Sequence, residues 1–260
     1  MKKIIYDLGA GKGENLEYYL NKSELVVAYE ADKSNYIFII TKFKSEIKRG
    51  SLIVENCIVT ADANLGLCDF YVHKKNHLLG QFPKPNENNF NNFTKISLKT
   101  RGILSIFKEY GKPFYIKIDL EEYDHIILEK ILRSGINFTY LSVEIKDFES
   151  FKLFSKFKKF DAFKIVNGHD VHLVYKNFQI NSAGPFGKET KGHWAKYDIF
   201  EKFIPYKLKQ IGWFDLHCSN VDLAKKELSL NQVIRQEKIS NLKVKYKKKF
   251  FRILKKFKVN

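Results

Sequence analysis

Four acidic residues stand in or just after apolar runs. Asp7 lies within Ile4-Ile5-Tyr6-Asp7-Leu8. Glu30 closes Leu25-Val26-Val27-Ala28-Tyr29, and Asp119 closes Phe114-Tyr115-Ile116-Lys117-Ile118. Glu144 lies near the end of Leu141-Ser142-Val143-Glu144-Ile145. Short apolar runs bounded by turn residues predict buried strands. In an open α/β sheet, ligands bind outside the carboxyl ends of the strands, so these four carboxylates are expected to converge there. Carboxylates accept hydrogen bonds from hydroxyls, pair with cations, and can take a hydroxyl proton.

The first run leads into Gly9-Ala10-Gly11-Lys12-Gly13. Glycine permits positive φ and lets a ligand press on the backbone. A helix predicted over 14–21 would aim its first N–H groups back at this turn. The spacing is G-x-G-x-G, not the G-x-G-x-x-G of pyrophosphate cradles. A carboxylate in front of it would repel a pyrophosphate. It suits a ligand carrying an ammonium and a sulfonium, namely S-adenosylmethionine. Gly9, Gly11 and Gly13 are therefore candidate cofactor contacts. Glu30, at the end of the second strand, is placed to accept both ribose hydroxyls of an adenosine. Ile58, in Cys57-Ile58-Val59 at the end of a third strand over 51–59, would lie near the adenine ring.

The elements that must position these residues follow in order. A helix is expected over 33–48, an extra strand over 68–73, a long polar loop over 76–94, and a short strand over 96–98. Loops of that length are commonly lids or binding loops. His73 and His77 flank its start. Helices over 102–110, 123–134 and 148–157 alternate with the strands over 114–119 and 139–145. Strands over 160–166 and 171–175 would form a hairpin around Asn167-Gly168-His169-Asp170. The series predicts an α/β fold: a Rossmann-like doubly wound sheet of the class I methyltransferase type with an antiparallel edge strand.

The segments Tyr6-Asp7-Leu8-Gly9-Ala10-Gly11-Lys12-Gly13, Ala28-Tyr29-Glu30, Tyr115-Ile116-Lys117-Ile118-Asp119-Leu120-Glu121 and Leu141-Ser142-Val143-Glu144-Ile145 resemble the FkbM family of S-adenosylmethionine-dependent methyltransferases. The resemblance spans about residues 4–175. Its most specific part is Lys117-Ile118-Asp119-Leu120-Glu121. Ala31 stands where the family usually has proline, Gly11 where asparagine is common, and Glu122 where the family has glycine. The resemblance implies cofactor contacts at Asp7, Gly9, Gly11 and Glu30, and a transfer site at Asp119 and Glu121, with Glu144 in a corresponding place. It implies O-methylation of a hydroxyl on a sugar, polyketide or related metabolite, with no metal required. Asp119 could take the hydroxyl proton, or could hold the cofactor or cap the next helix.

The chain has 260 residues and a net charge of +17. Ten basic residues and no acidic one lie in 238–260, which leaves +7 for the rest. Ile239, Leu242, Tyr246, Phe250, Ile253, Leu254 and Phe257 recur at spacings of three and four, so this tail predicts an amphipathic helix for an anionic membrane surface. An RNA-binding arm or a helix packed on the domain are the other readings. The expected division is a cofactor-binding domain over 1–177, a mainly helical appendage or lid over 178–237, and the tail over 238–260. Within the appendage, Gly184-Pro185-Phe186-Gly187 with His193, Trp194 and Tyr197 reads as a sugar-stacking lid or as a packed loop. Cys57, Cys68 and Cys218 show neither disulfide nor zinc spacing. No signal peptide or membrane span is evident, and a cytoplasmic location with peripheral attachment to the inner membrane face is expected. The expected activity is O-methylation of a sugar hydroxyl in a capsule or lipopolysaccharide precursor, the partner being a carbohydrate or nucleotide-sugar. The alternatives are an RNA methyltransferase, favoured by charge alone, and a non-catalytic S-adenosylmethionine-fold binding protein.

Overall fold

The computed structural model describes residues 2–62, 65–157, 160, 162–175, 180, 183–224 and 228–257, with the side chains of 157 and 250–257 left aside. In chain order the elements are β1 (Ile4–Leu8), α1 (Leu16–Leu20), β2 (Leu25–Tyr29), α2 (Lys33–Lys42), α3 (Lys44–Lys48), β3 (Leu52–Glu55), β4 (Ile58–Thr60), β5 (Leu67–His73), β6 (Phe93–Gly102), α4 (Ile103–Tyr110), β7 (Pro113–Ile118), α5 (Asp124–Arg133), β8 (Tyr140–Ile145), α6 (Phe148–Phe157), β9 (Ala162–Val166), α7 (Val171–Val174), α8 (Tyr197–Ile211), β10 (Phe214–Ser219) and α9 (Leu230–Phe257).

Seven strands form one sheet in the order β3-β2-β1-β7-β8-β10-β9. β10 runs antiparallel to both its neighbours, while β1, β2, β3, β7 and β8 are parallel. This is the class I methyltransferase arrangement. Its strand order reverses between β1 and β7, where such sheets open a ligand crevice. β1 and β2 are buried at every position. Strands covered on both faces need apolar residues on both, which explains their continuous apolar runs.

The antiparallel strand lies one place in from the edge, and its origin differs from the expected hairpin. After β9 the chain passes through a 3₁₀ turn at Gly168–Asp170 into α7, so 171–174 is helical and the expected strand over 171–175 does not form. β10 takes the place instead, paired on both sides and buried throughout. It comes from the stretch 178–237 that was expected to stand apart, so that stretch supplies an interior strand. The boundary at 177/178 lies outside the described residues. The expected strand over 51–59 also divides. Asn56 Nδ2 donates to the carbonyls of Glu30 (2.8 Å) and Ala31 (3.0 Å), which pins the chain at the break between β3 and β4. β4 leaves the main sheet and joins β6 and β5 in a three-stranded sheet that carries the long loop. The helix expected over 33–48 breaks at Phe43 into α2 and α3.

One face of the main sheet packs Tyr6, Leu8, Val27, Ile116, Ile118, Leu141 and Val143 into a cluster with α4, α5, α6 and α8. The other face packs Ile5, Val26, Ala28 and Tyr115 against α1, α2 and Phe186. Phe186 stacks on Tyr115 with ring centroids 4.2 Å apart and meets Tyr18 and Tyr140 as well. The sugar-stacking lid is therefore corrected: residues 184–187 plug this face, drawn in by aromatic packing worth about 1 kcal/mol per ring pair beyond burial. Trp194 is buried beside Ala162 and Ala224, and Tyr197 stacks on Phe151.

A buried polar row crosses this second face. Asp7, Lys117, Ser142 and His217 are successive register partners on β1, β7, β8 and β10, and all four are buried. Side chains on a strand alternate. The next residues on the same face, toward the carboxyl edge of the parallel strands, are therefore Gly9, Asp119, Glu144 and Asp215.

Candidate active site

A cavity of about 590 Å³ opens at that edge, within the usual range for small-molecule sites. Gly9, Gly11, Glu30, Ile58, Asp119, Glu121 and Glu144 all line it, seven of the nine residues expected at the site. Asp7 and Gly13 do not.

Asp7 is fully buried beneath the glycine turn, where its Oδ1 lies 3.2 Å from Lys117 Nζ. It supports the site through Lys117 and does not reach the cavity. Burial, opposed by that lysine, holds its carboxyl at about 6. Lys117 Nζ also lies 3.1 Å from Asp119 Oδ2 and donates to the Gly9 carbonyl at 2.7 Å. Burial would lower the lysine's pKa, but the two carboxylates reverse that and raise it, so it remains an ammonium. Gly13 is a packing residue: a Cβ there would lie 2.9 Å from Leu16 and 3.1 Å from Phe43.

The cradle is built differently from the expectation that free amides face a ligand. Gly9 and Ala10 both donate to Tyr29 O at 3.0 Å, Lys12 N donates to Glu14 Oε2, and Gly13 N donates to Ala10 O. The turn consumes its own donors because α1 begins only at Leu16. Gly9 has φ +83°, and a Cβ there would stand 1.8 Å from Asp119 O, so only glycine brings this turn against β7. Glu30 locks the arrangement. Its Oε2 accepts Gly11 N at 2.7 Å and its Oε1 accepts Asp32 N at 2.7 Å. Each oxygen keeps a further lone pair for a hydroxyl donor. Burial pushes its carboxyl up to about 8. Cys57, Ile58 and Val59 form an apolar wall suited to a flat ring.

At the other end Lys146 Nζ bridges Glu121 (3.2 Å), Glu122 (3.1 Å) and Glu144 (3.4 Å). Burial and the neighbouring Glu121 push Glu144 to about 9. Glu121 and Glu122 adopt left-handed backbone, φ 47° and 69°, which side chains adopt at a cost of order 1–3 kcal/mol each. Carboxylate oxygens of Asp119, Glu121 and Glu144 lie within 4.8 Å of one another and could ligate a cation, although the Lys117 and Lys146 ammoniums already pair with them.

The loop between β5 and β6 covers the cavity as expected of a lid, contributing Asn76, His77, Leu78, Leu79, Gly80 and Phe82. Asn35 Nδ2 holds the His77 carbonyl at 3.2 Å on one side, and Phe82 packs edge-on against Tyr123 on the other. His73 serves the turn: its Nδ1 accepts the Lys75 and Asn76 amides.

Sequence reasoning missed Lys146, Trp213 and Asp215, which also line the cavity. Lys146 directly follows parallel β8 and was within reach of the rule that functional residues stand at the ends of parallel strands, whereas Trp213 and Asp215 were not. β10 runs the other way and enters the sheet at the functional edge, so its contributions sit at its start.

No known protein-family profile matches the chain, and no curated protein matches it in sequence. Among solved structures it is similar to a precorrin-6y C5,15-methyltransferase from Geobacter metallireducens, at 8% identity over 84% of this chain and 79% of that one, with a TM-score of 0.41. It is similar to an rRNA methylase from Streptococcus thermophilus at 10% identity, over 84% and 86% of the chains, with a TM-score of 0.36. The StiE O-MT domain aligns at 9% identity, over 85% and 69%, with a TM-score of 0.35.

Proposed function

We propose that the chain is an S-adenosylmethionine-dependent O-methyltransferase that acts on a sugar hydroxyl of a surface-glycan precursor, a carbohydrate or nucleotide-sugar of the capsule or lipopolysaccharide type. The observation that carries this reading is a single cavity joining the glycine turn and Glu30 at one end to Asp119, Glu121 and Glu144 at the other. The fit to the cofactor rests on chemistry present in the chain. Glu30 offers acceptors for a ribose diol, Ile58 and Val59 offer an apolar wall, and Asp119 offers a carboxylate for an ammonium or a hydroxyl. When bound, S-adenosylmethionine supplies an electrophilic methyl group on a sulfonium.

Lys117 fixes the Asp119 carboxylate on the cavity wall. Asp119 accepts the proton that the acceptor hydroxyl loses as its oxygen takes the methyl group. Alignment and this proton transfer are what methyl transfer demands of a protein. The lid residues Leu78, Leu79 and Phe82 exclude water. The motif on which the FkbM resemblance most depends, Lys117 to Glu121, is the segment that builds this wall. Glu122, at the family's glycine position, has the positive φ that glycine would favour.

α9 supports a membrane-side location. Its inner face is tied down by Val244, the Lys207–Glu237 pair and Lys248 to Asp170 at 2.6 Å. Ile239, Leu242 and Tyr246 point outward, 44, 52 and 70% exposed, among lysines. That is the pattern of an interfacial helix on anionic lipid. Phe250, Ile253, Leu254 and Phe257 lie outside the described side chains. No described helix is long and apolar enough to cross a membrane. The same basic helix favours the second reading, an RNA methyltransferase.

The test is methyl transfer from labelled S-adenosylmethionine to a cell-envelope extract, with mass spectrometry of the product. Label in a glycan precursor is expected. Label confined to added RNA would replace this reading with the second one.

A further inference from the structure

Asp215 is a cavity carboxylate with no part in the proton transfer at Asp119. It is 4% exposed, yet it lines the cavity. Among the described residues it makes no direct hydrogen bond or salt bridge, and the Lys117 ammonium acts on it only at longer range. Because it lines the cavity, a bound guest can supply the hydrogen-bond partner that the protein does not. β10 holds Asp215 in register with Glu144 on β8, so the two acids stand side by side on one face. Burial and the negative Asp119 push its carboxyl up to about 8, so at neutral pH it is mostly protonated and can donate as well as accept.

Trp213 stands two residues before it on the same wall, half-buried. A Cβ on Gly168 would lie 3.0 Å from Trp213 Cη2, so the absence of a side chain at 168 lets the indole settle on the backbone. The His169 ring packs against it, tilted, at 4.7 Å between centroids. Both Gly168 and His169 line the cavity. The wall thus pairs an aromatic surface with hydrogen-bonding acids.

We propose that Trp213, Asp215 and Glu144 form the acceptor subsite, and that it binds a neutral polyhydroxylated ring, the ring's C–H face against the indole and adjacent hydroxyls on the two acids. The proposal rests on the methyltransferase reading and assigns its acceptor. The chemistry separates this ligand from others. A phosphodiester strand would have to pass Asp119, Glu121 and Glu122 at the rim, where like charges repel. A fully cationic acceptor would meet Lys146 already bound to three of the acids. A polyol matches a protonated acid beside a paired one, because each hydroxyl both donates and accepts. Asp215 acts here as a positioning residue.

The chain has two tryptophans, and Trp194 is buried away from the cavity, so Trp194→Phe leaves Trp213 as the sole tryptophan reporter. Should that variant fold poorly, the wild-type signal minus that of Trp213→Phe reports the same residue. The full chain is titrated with methyl α-glucopyranoside, methyl α-galactopyranoside, methyl α-mannopyranoside, spermidine and adenosine monophosphate, with and without saturating S-adenosylhomocysteine. At least one glycoside is expected to change Trp213 emission saturably. Asp215→Asn, which fixes one donor where the acid had an exchangeable proton, and Asp215→Ala are expected to weaken that binding, the alanine by about tenfold. S-adenosylhomocysteine binding by calorimetry should stay unchanged in both. Emission that responds only to spermidine or adenosine monophosphate overturns the proposal, as does glycoside affinity indifferent to Asp215→Ala. Failure of the wild type to bind S-adenosylhomocysteine while a glycoside still titrates Trp213 sinks the methyltransferase reading and leaves the subsite standing.

Discussion

The two ends of the cavity are finished to different degrees. At the glycine-turn end, Glu30 accepts two backbone amides and Lys117 joins Asp7, Asp119 and the Gly9 carbonyl. At the other end, three glutamates share Lys146, and Asp215 makes no direct hydrogen bond or salt bridge among the described residues. Preorganisation suits a ligand whose shape never varies, such as a cofactor. Unspent hydrogen-bonding capacity and locally strained backbone suit the partner that reacts. The difference teaches which end was built around itself and which around a guest.

The sharpest way to break this comparison is to remove the cation from the finished end. Lys117→Met leaves Asp7 buried beside no positive charge. A loss of about 3–5 kcal/mol in urea denaturation is expected. A loss below about 1 kcal/mol would mean that the polar row does not hold the end together.

Asp119 sits where the ends meet, and its replacement tells which it serves. Asp119→Asn is expected to lower the rate of methyl transfer about 100-fold or more, with cofactor affinity nearly unchanged in calorimetry. Loss of affinity with the rate preserved would assign Asp119 to holding the cofactor instead.

The buried acids also leave a thermodynamic trace. Glu30, Glu144 and Asp215, held at about 8, 9 and 8, keep protons in the folded state that the unfolded chain releases above about pH 4. The folded state then binds more protons, so stability falls as pH rises from about 5 to 9, by at least about 2 kcal/mol in sum. His217 acts oppositely at low pH. It is buried and held neutral down to about 4, so its contribution is lost as pH falls from about 6.5 through 4. Urea denaturation at pH 5, 7 and 9 checks this, and stability that is flat or rising across that range contradicts the burial of neutral acids. Asp215→Asn should flatten the alkaline fall.

The smallest effect on folding belongs to the outer face of α9. Changing Ile239, Leu242 and Tyr246 to glutamate should alter stability by no more than about 0.5 kcal/mol per site, since all three are exposed. Binding to phosphatidylglycerol vesicles should disappear. Retained vesicle binding would remove the membrane reading of the tail.

The finished end was legible in the sequence because its elements are local: strand, glycine turn, helix, and an acid closing each parallel strand. Even there, Asp7 does not reach the cavity: it lies on the same face as Gly9 but two residues deeper, beneath the turn and against Lys117. The guest end was only half legible. Asp119, Glu121 and Glu144 end parallel strands, whereas Trp213 and Asp215 begin an antiparallel one that inserts between strands far earlier in the chain. Nothing local marks such an insertion. The Asn167-Gly168 pair pointed to a hairpin, and the long-range pairing of β10 with β8 and β9 prevailed. Phe186 and Trp194 could be read either as lid aromatics or as a packed loop because their packing partners, Tyr115 and Ala162, are distant in sequence.

The central claim is that the Glu30 end of the cavity holds S-adenosylmethionine. Isothermal calorimetry of the wild-type chain and of Glu30→Ala with S-adenosylmethionine tests it directly. One-to-one binding by the wild type is expected, with an affinity reduced roughly 30- to 100-fold in the variant, the loss of hydrogen bonds to a charged or buried acid. No binding by the wild type, or binding that Glu30→Ala leaves unchanged, would contradict it.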